Sequence, residues 1–157
     1  MTNDLAFAGQ RQGLMLMAFR VGAQEFCIDI MTVRELRGWT PATAIPHAPA
    51  FVSGVINLRG AVLPIVDLAR RLGLAESAPS ARHVVIVAQI GSQTIGLLVD
   101  AVSDILTVDE TLIQATPDVA VSEQIRMFVE GLLPVEGRMI SLLNLDRVLP
   151  SNIPEAA

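Results

Sequence analysis

Two histidines, one cysteine and eleven basic residues, every one of them arginine, bound the chemistry open to this chain of 157 residues. Without lysine there is no amine for a Schiff base and no phosphate-binding loop of the Gly-Lys-Ser/Thr kind. His47 stands among prolines and His83 follows a polar stretch, and neither has a second histidine, a cysteine or a carboxylate at ligand spacing. Both read as solvent-exposed loop residues rather than metal ligands. Cys27 shares a strand face with Asp29 and has no neighbour in sequence that would lower its pKa, so it reads as a packed thiol rather than a nucleophile. The paired acids Asp109-Glu110 fit a solvated cap better than an acid/base pair. No Gly-x-Gly-x-x-Gly, Gly-x-Ser-x-Gly or His-Glu-x-x-His motif is present. The expectation is therefore no catalytic residue, no metal and no cofactor.

Arg59 is the basic side chain whose position points to a partner. The chain contains its own pattern twice, and the copies differ where Arg59 stands. From Gly22 to Gly91, a shift of 69 residues lays Gly22, Gln24, Phe26, Ile28, Ile30, Val33, Glu35 and Leu36 over Gly91, Gln93, Ile95, Leu97, Val99, Val102, Asp104 and Ile105. A second block, shifted by 77, lays Gly54, Gly60, Ile65, Val66, Leu68, Arg70 and Leu72 over Gly131, Gly137, Leu142, Leu143, Leu145, Arg147 and Leu149. The larger shift places a longer middle loop in the second copy. At one hairpin the first copy has Asn57-Leu58-Arg59-Gly60 and the second Pro134-Val135-Glu136-Gly137, so the exposed charge reverses on a shared scaffold. An arginine at a hairpin tip can offer its planar fork to a partner's carboxylates or carbonyls; an internal pair with Glu35 and a freely solvated side chain are the alternatives. Trp39, the single tryptophan, reads either as a plug in a barrel end or, if exposed, as an interface anchor.

Composition narrows the partners. A net charge of −5 and the absence of tyrosine give neither a basic footprint for phosphate backbones nor a platform for bases, so nucleic acid is not expected. Hydrophobic residues make up 52% of the chain, yet apolar runs break well short of the roughly 20 residues a spanning helix needs. Met1-Thr2-Asn3-Asp4 lacks the features of a signal peptide, and a lone cysteine forms no internal bridge. The expectation is a soluble cytoplasmic protein without membrane insertion.

The elements that would carry these residues are short. Leu16–Val21 and Phe26–Ile30 alternate with period two around Gly22-Ala23 and predict a hairpin. Val33–Arg37 predicts one helical turn before Gly38, and Pro41, Pro46 and Pro49 predict a surface loop as far as Phe51. Val55–Leu58 and Val62–Val66 flank Arg59-Gly60 as a second hairpin, with Gly60 at positive φ. Asp67 should cap a short helix over Leu68–Leu72 that Gly73 ends, and Asn144 takes the matching cap. Further strands are expected near Val84–Ile90, Thr94–Val99, Ile105–Val108, Phe128–Pro134 and Arg138–Leu143, with a turn at Asp100-Ala101 and a long loop through Pro117. Residues 1–13 and 151–157 read as tails around a single domain at 14–150. Within it we expect a first barrel at about 14–72, a connector at 73–82 and a second barrel at about 83–150, with neither half folding alone and strands free to cross between lobes.

Three segments resemble the CheW family of bacterial chemotaxis coupling proteins. They are Phe26–Gly38, then Gly54-Val55-Ile56-Asn57-Leu58-Arg59-Gly60-Ala61-Val62-Leu63-Pro64-Ile65-Val66-Asp67-Leu68, then Gly96–Ile105, and the likeness runs from about Leu14 to Leu149. It implies an all-β fold with short helices, built as two intertwined five-stranded SH3-like barrels related by a pseudo-twofold. It further implies a non-enzymatic adaptor that bridges the cytoplasmic tip of chemoreceptors to the regulatory domain of a CheA-type histidine kinase in membrane-associated arrays. By that resemblance Val33 would supply apolar contact to the receptor, Glu35 and Arg59 polar contacts, and Asn57 with Gly60 would shape the hairpin presenting Arg59. The first barrel would be the kinase-facing lobe, with Gly54 in its hairpin a kinase contact or close-approach position. Similar proteins serve pathways controlling pili or gene expression. A small-molecule module using the seam between lobes is a third reading, one that would need a closed apolar pocket with a few convergent polar groups.

Overall fold

The structure, a computed structural model, describes residues 13–74, 79–116 and 123–149. The expected tails, apart from Gly13, and part of the connector lie outside these residues. In chain order the elements are β1 (Leu14–Val21), β2 (Gln24–Asp29), β3 (Val33–Gly38), β4 (Val52–Leu58), β5 (Ala61–Asp67), α1 (Leu68–Leu72), β6 (Val84–Ile90), β7 (Gln93–Val99), β8 (Ala101–Val108), α2 (Glu123–Arg126), β9 (Val129–Val135), β10 (Arg138–Leu143) and α3 (Leu145–Val148). The hairpins form as their alternation predicts, Arg59 and Gly60 both taking positive φ in the tight β4–β5 turn. Asp67 caps α1 by accepting from the Arg70 amide at 3.3 Å, Gly73 ends it at φ 74°, and Asn144 caps α3.

One expectation fails locally. Val33–Gly38 is a strand, not a helical turn, because β6 offers it a ladder; the turn sits one step earlier, as a 3-10 helix over Ile30–Thr32 capped by Asp29. The proline-rich stretch forms no helix or strand and stays exposed or half-buried, as expected, though Thr43 bridges Val55 and Trp39 packs half-buried against a core cluster. That cluster is a barrel interior, which favours the plug reading of Trp39. The strand before Val108 begins already at Ala101, leaving Asp100 alone to turn the chain.

Strands cross between the two halves of the chain. One five-stranded sheet runs β8-β1-β2-β10-β9 and the other β3-β6-β7-β5-β4. Boundaries near 72 and 83 therefore do not separate the sheets: each takes one hairpin from one sequence copy and three strands from the other. Exchanging the copies maps one order onto the other, which is the approximate dyad. We call the sheet holding β1 lobe I and the other lobe II. Isolated bridges close them, Gln114 to Leu132 in lobe I and Thr43 to Val55 in lobe II.

Both faces of the central strands are buried, which explains why the apolar runs are nearly continuous. Leu16, Ala18 and Cys27 point into lobe I with Leu133 and Ile140, and Leu63, Ile65, Val85 and Val87 fill lobe II. The intervening residues, among them Met17, Phe19, Phe26, Val66, Ile86 and Leu97, meet between the lobes in the most extensive of the three clusters. The seam is thus a core in its own right, each large side chain buried there contributing roughly 1.5–3 kcal/mol.

Arg71 ties the lobes further. Its guanidinium lies over Phe51 at 4.4 Å and over Phe128 at 4.8 Å from the ring centroids, and Nε donates to the Val148 carbonyl at 2.7 Å. A rounded ammonium cannot reproduce that planar fit, so Arg71→Lys is expected to cost about 1–2 kcal/mol. Equilibrium urea unfolding checks it, and an unaltered midpoint would refute the clamp.

Candidate functional site

The β3 register sets the geometry. Val33 lies opposite Ala88, but Glu35, Leu36 and Arg37 lie opposite Val87, Ile86 and Val85, so the strand bulges at Arg34. The bulge splits the side chains between two faces. Val33 and Leu36 share the seam face with Ala88 and Ile86, while Glu35 and Arg37 face the side where lobe II closes. Val33 packs against the seam core and Leu36 stays 45% exposed beside it. Leu36 is a candidate contact that sequence reasoning passed over; its pairing with Ile105 in the repeat was the available signal.

Arg59 reaches across the closure. Its two terminal nitrogens donate to both Glu35 carboxylate oxygens, the Nη1 to Oε1 distance being 3.4 Å, and Arg37 adds a third donor at 3.5 Å. Hydrogen bonding to Arg59, foremost, holds the Glu35 carboxyl below the usual carboxylate range, and the same pair raises the guanidinium. Asn57 shapes the tip, its Oδ1 accepting from the Gly60 amide at 2.8 Å. The structure thus brings Glu35, Asn57, Arg59 and Gly60 together, with Val33 on the adjoining seam face. The Arg59 side chain nevertheless remains 67% exposed, so the carboxylate pair leaves much of the fork accessible.

Gly54 lies outside the Glu35–Arg59 pair. It is buried in β4 with φ 146°, and a Cβ there would collide with the Thr43 carbonyl that closes lobe II. Gly131 repeats the arrangement in lobe I, where a Cβ would meet the Gln114 carbonyl at 2.7 Å. Both are close-approach glycines at barrel closures.

The second copy explains the reversed charge at the tip. Asp104 stands where Glu35 stands, but its arginine is Arg138, at the start of β10 rather than on the turn, and Arg138 also donates to Glu25 at 2.7 Å. Each lobe is therefore stapled by an arginine–carboxylate pair, and the scaffold does use an arginine on both hairpins. Only in lobe II does it occupy the exposed tip. The Arg138 hydrogen bond lowers the Glu25 pKa, so this group favours the folded chain above its unfolded value of about 4.3, and the contribution vanishes as pH falls through the depressed folded value. Arg138→Gln should accordingly flatten the acid limb of a stability-versus-pH curve as pH falls below the unfolded value of about 4.3. Overlapping curves for the two proteins would contradict it.

The groups considered for chemistry are placed as follows. Burial pushes the Cys27 thiol up to about 12, leaving no thiolate at neutral pH. A maleimide should label Cys27 only after unfolding; labelling of the folded chain at the unfolded rate would show the site to be open. His83 is not an exposed loop residue: its Nδ1 accepts from the Ser80 amide at 3.1 Å and Nε2 faces Asp100 at 3.5 Å. His47 is exposed. Among the described residues no three His, Cys, Asp or Glu side chains group as metal ligands, and no helix is long and apolar enough to cross a membrane. A cleft of about 480 Å³ is lined by Leu14, Leu16 and Leu142 with Asp29, Glu110 and Glu130, and its lining includes none of Val33, Glu35, Asn57, Arg59 or Gly60.

Comparison with known proteins agrees with this architecture. Chemotaxis protein CheW of Rhizobium meliloti (strain 1021) is 64% identical over 145 residues, covering 92% of this chain and 93% of that protein. A protein described as a probable chemotaxis protein CheW from Rhizobium etli is 58% identical, covering 90% and 91%. The crystal structure of the scaffolding protein TtCheW from Thermoanaerobacter tengcongensis superposes with a TM-score of 0.81 at 31% identity, covering 91% of this chain and 97% of that one. The family model for the CheW-like domain matches residues 15–152, and with the intertwined lobes in agreement the chain belongs to the CheW family.

Proposed function

We propose that this protein is a non-enzymatic adaptor in chemotaxis signalling that couples the cytoplasmic tip of transmembrane chemoreceptors to a CheA-type histidine kinase. The observation that carries the reading is the Glu35–Arg59 pair at the closure of lobe II, its guanidinium two-thirds exposed, with Val33 and the half-exposed Leu36 on the seam face of the strand that carries Glu35. Such a surface suits a helical hairpin that lays apolar side chains along the seam and presents carboxylates or carbonyls to the arginine. Asn57 and Gly60 act through the turn that aims Arg59. The names of the Rhizobium relatives and of TtCheW support the chemotaxis and scaffolding parts of the proposal.

The kinase contact falls to the lobe that contains Gly54, and because Gly54 itself is buried at the closure, it acts on that contact through barrel shape. Each contact is expected to be weak alone and to gain strength from the many copies joined at the membrane, since linkage raises effective concentration. Co-sedimentation of the purified protein with receptor-containing membranes and the cognate kinase tests the coupling. The kinase should pellet with receptors only when this protein is present. Kinase pelleting to the same extent without it would overturn the reading.

A further inference from the structure

We propose that the two sequence halves, 13–74 and 79–149, are mutually dependent units that can be exchanged between copies, and that the chain forms a dimer with a second copy of itself by trading them. The sheets carry the argument. Among the described residues, four of the eight strand ladders lie within a half, the hairpins β1–β2, β4–β5, β6–β7 and β9–β10. The other four join the halves: β1 to β8, β2 to β10, β3 to β6 and β5 to β7. Neither lobe can be assembled from one half, and the seam cluster draws Phe19, Phe26, Val66 and Leu72 from the first half and Ile86, Leu97, Phe128 and Leu143 from the second.

Association of the halves is thus an obligate interface whose covalent tether is the step from Leu74 to Pro79. The same ladders form equally well when the second half belongs to another copy, which is reciprocal exchange with C2 closure. The tether gives the internal partner an effective concentration in the millimolar range, so exchange needs folding at a concentration approaching that value.

The test uses the full chain with a protease site inserted between Glu76 and Ser77. Isotopically heavy and light copies are refolded together at about 300 μM and at about 3 μM, where mass action predicts at least tenfold more dimer at the higher concentration. Cutting the tether should collapse the dimer to monomer-sized particles, and native mass spectrometry should find heavy first halves with light second halves in roughly half of them, as random pairing gives. Monomers folded separately, then mixed and cut, should keep matched labels. The proposal is overturned by the absence of a dimer, by a dimer that survives cutting, by matched labels throughout, by mixed labels in the separately folded control, or by halves that separate when cut.

Discussion

Gly54→Val is expected to destabilise the protein by about 3–5 kcal/mol, through a backbone collision and a backbone conformation that valine rarely adopts. The first Cβ atom would strike the Thr43 carbonyl, and that carbonyl accepts from the Val55 amide at 2.8 Å in the bridge that closes lobe II. Relief requires breaking the bridge and moving Trp39 and Ala42, which pack on the lobe interior. Gly131→Val meets the same obstruction in lobe I, against backbone Gln114 and the Ile113 side chain. Gly22→Ala is the control: space is open there and only its φ of 62° opposes the change, so the loss should stay near 1 kcal/mol. Urea denaturation of the three variants separates the cases. Equal losses at positions 22 and 54 would show that closure is not what Gly54 permits. Any loss of kinase binding in Gly54→Val should scale with the unfolded fraction and with changed lobe shape.

Arg59→Glu should lower affinity for the receptor tip by roughly 10- to 100-fold while leaving the circular dichroism spectrum unchanged. The guanidinium now neutralises Glu35 and offers its exposed edge outward; a carboxylate in its place sets two like charges at the mouth of the lobe and repels acidic partner groups. Arg59→Lys keeps the charge but loses the fork, and its affinity should fall between the two. Because Asn57 and Gly60 hold the turn through their own hydrogen bond, the hairpin survives either change. Sedimentation with receptor membranes is the readout. Wild-type affinity in Arg59→Glu would remove Arg59 from the interface.

Much of this was legible in the chain. Period-two alternation located the hairpins, Asp67, Gly73 and Asn144 marked the short helices, and the repeat announced two equivalent lobes. The repeat did not reveal which copy pairs with which, because β3 and β8 carry matching patterns and either could complete the ladder on β1. The edge strand Val33–Gly38 was misread because its mixed burial, one face toward the seam and one toward the closure, imitates a helical turn over so few residues. At the site, Glu35 and Arg59 could be paired by thought alone. Arg138 with Glu25 and Asp104 could not, being separated by 113 and 34 residues.

The exchange of strands also governs when the protein can fold during its own manufacture. Leu16 finds its ladder partner Leu106 ninety residues later, so at 5–20 residues per second the first hairpin leaves the ribosome on the order of ten seconds before β8 exists to pair with it. With both edges of that hairpin unpaired for the interval, the nascent chain should be a chaperone client until β8 and β10 have emerged, and long-range pairing should make its refolding slow for its size.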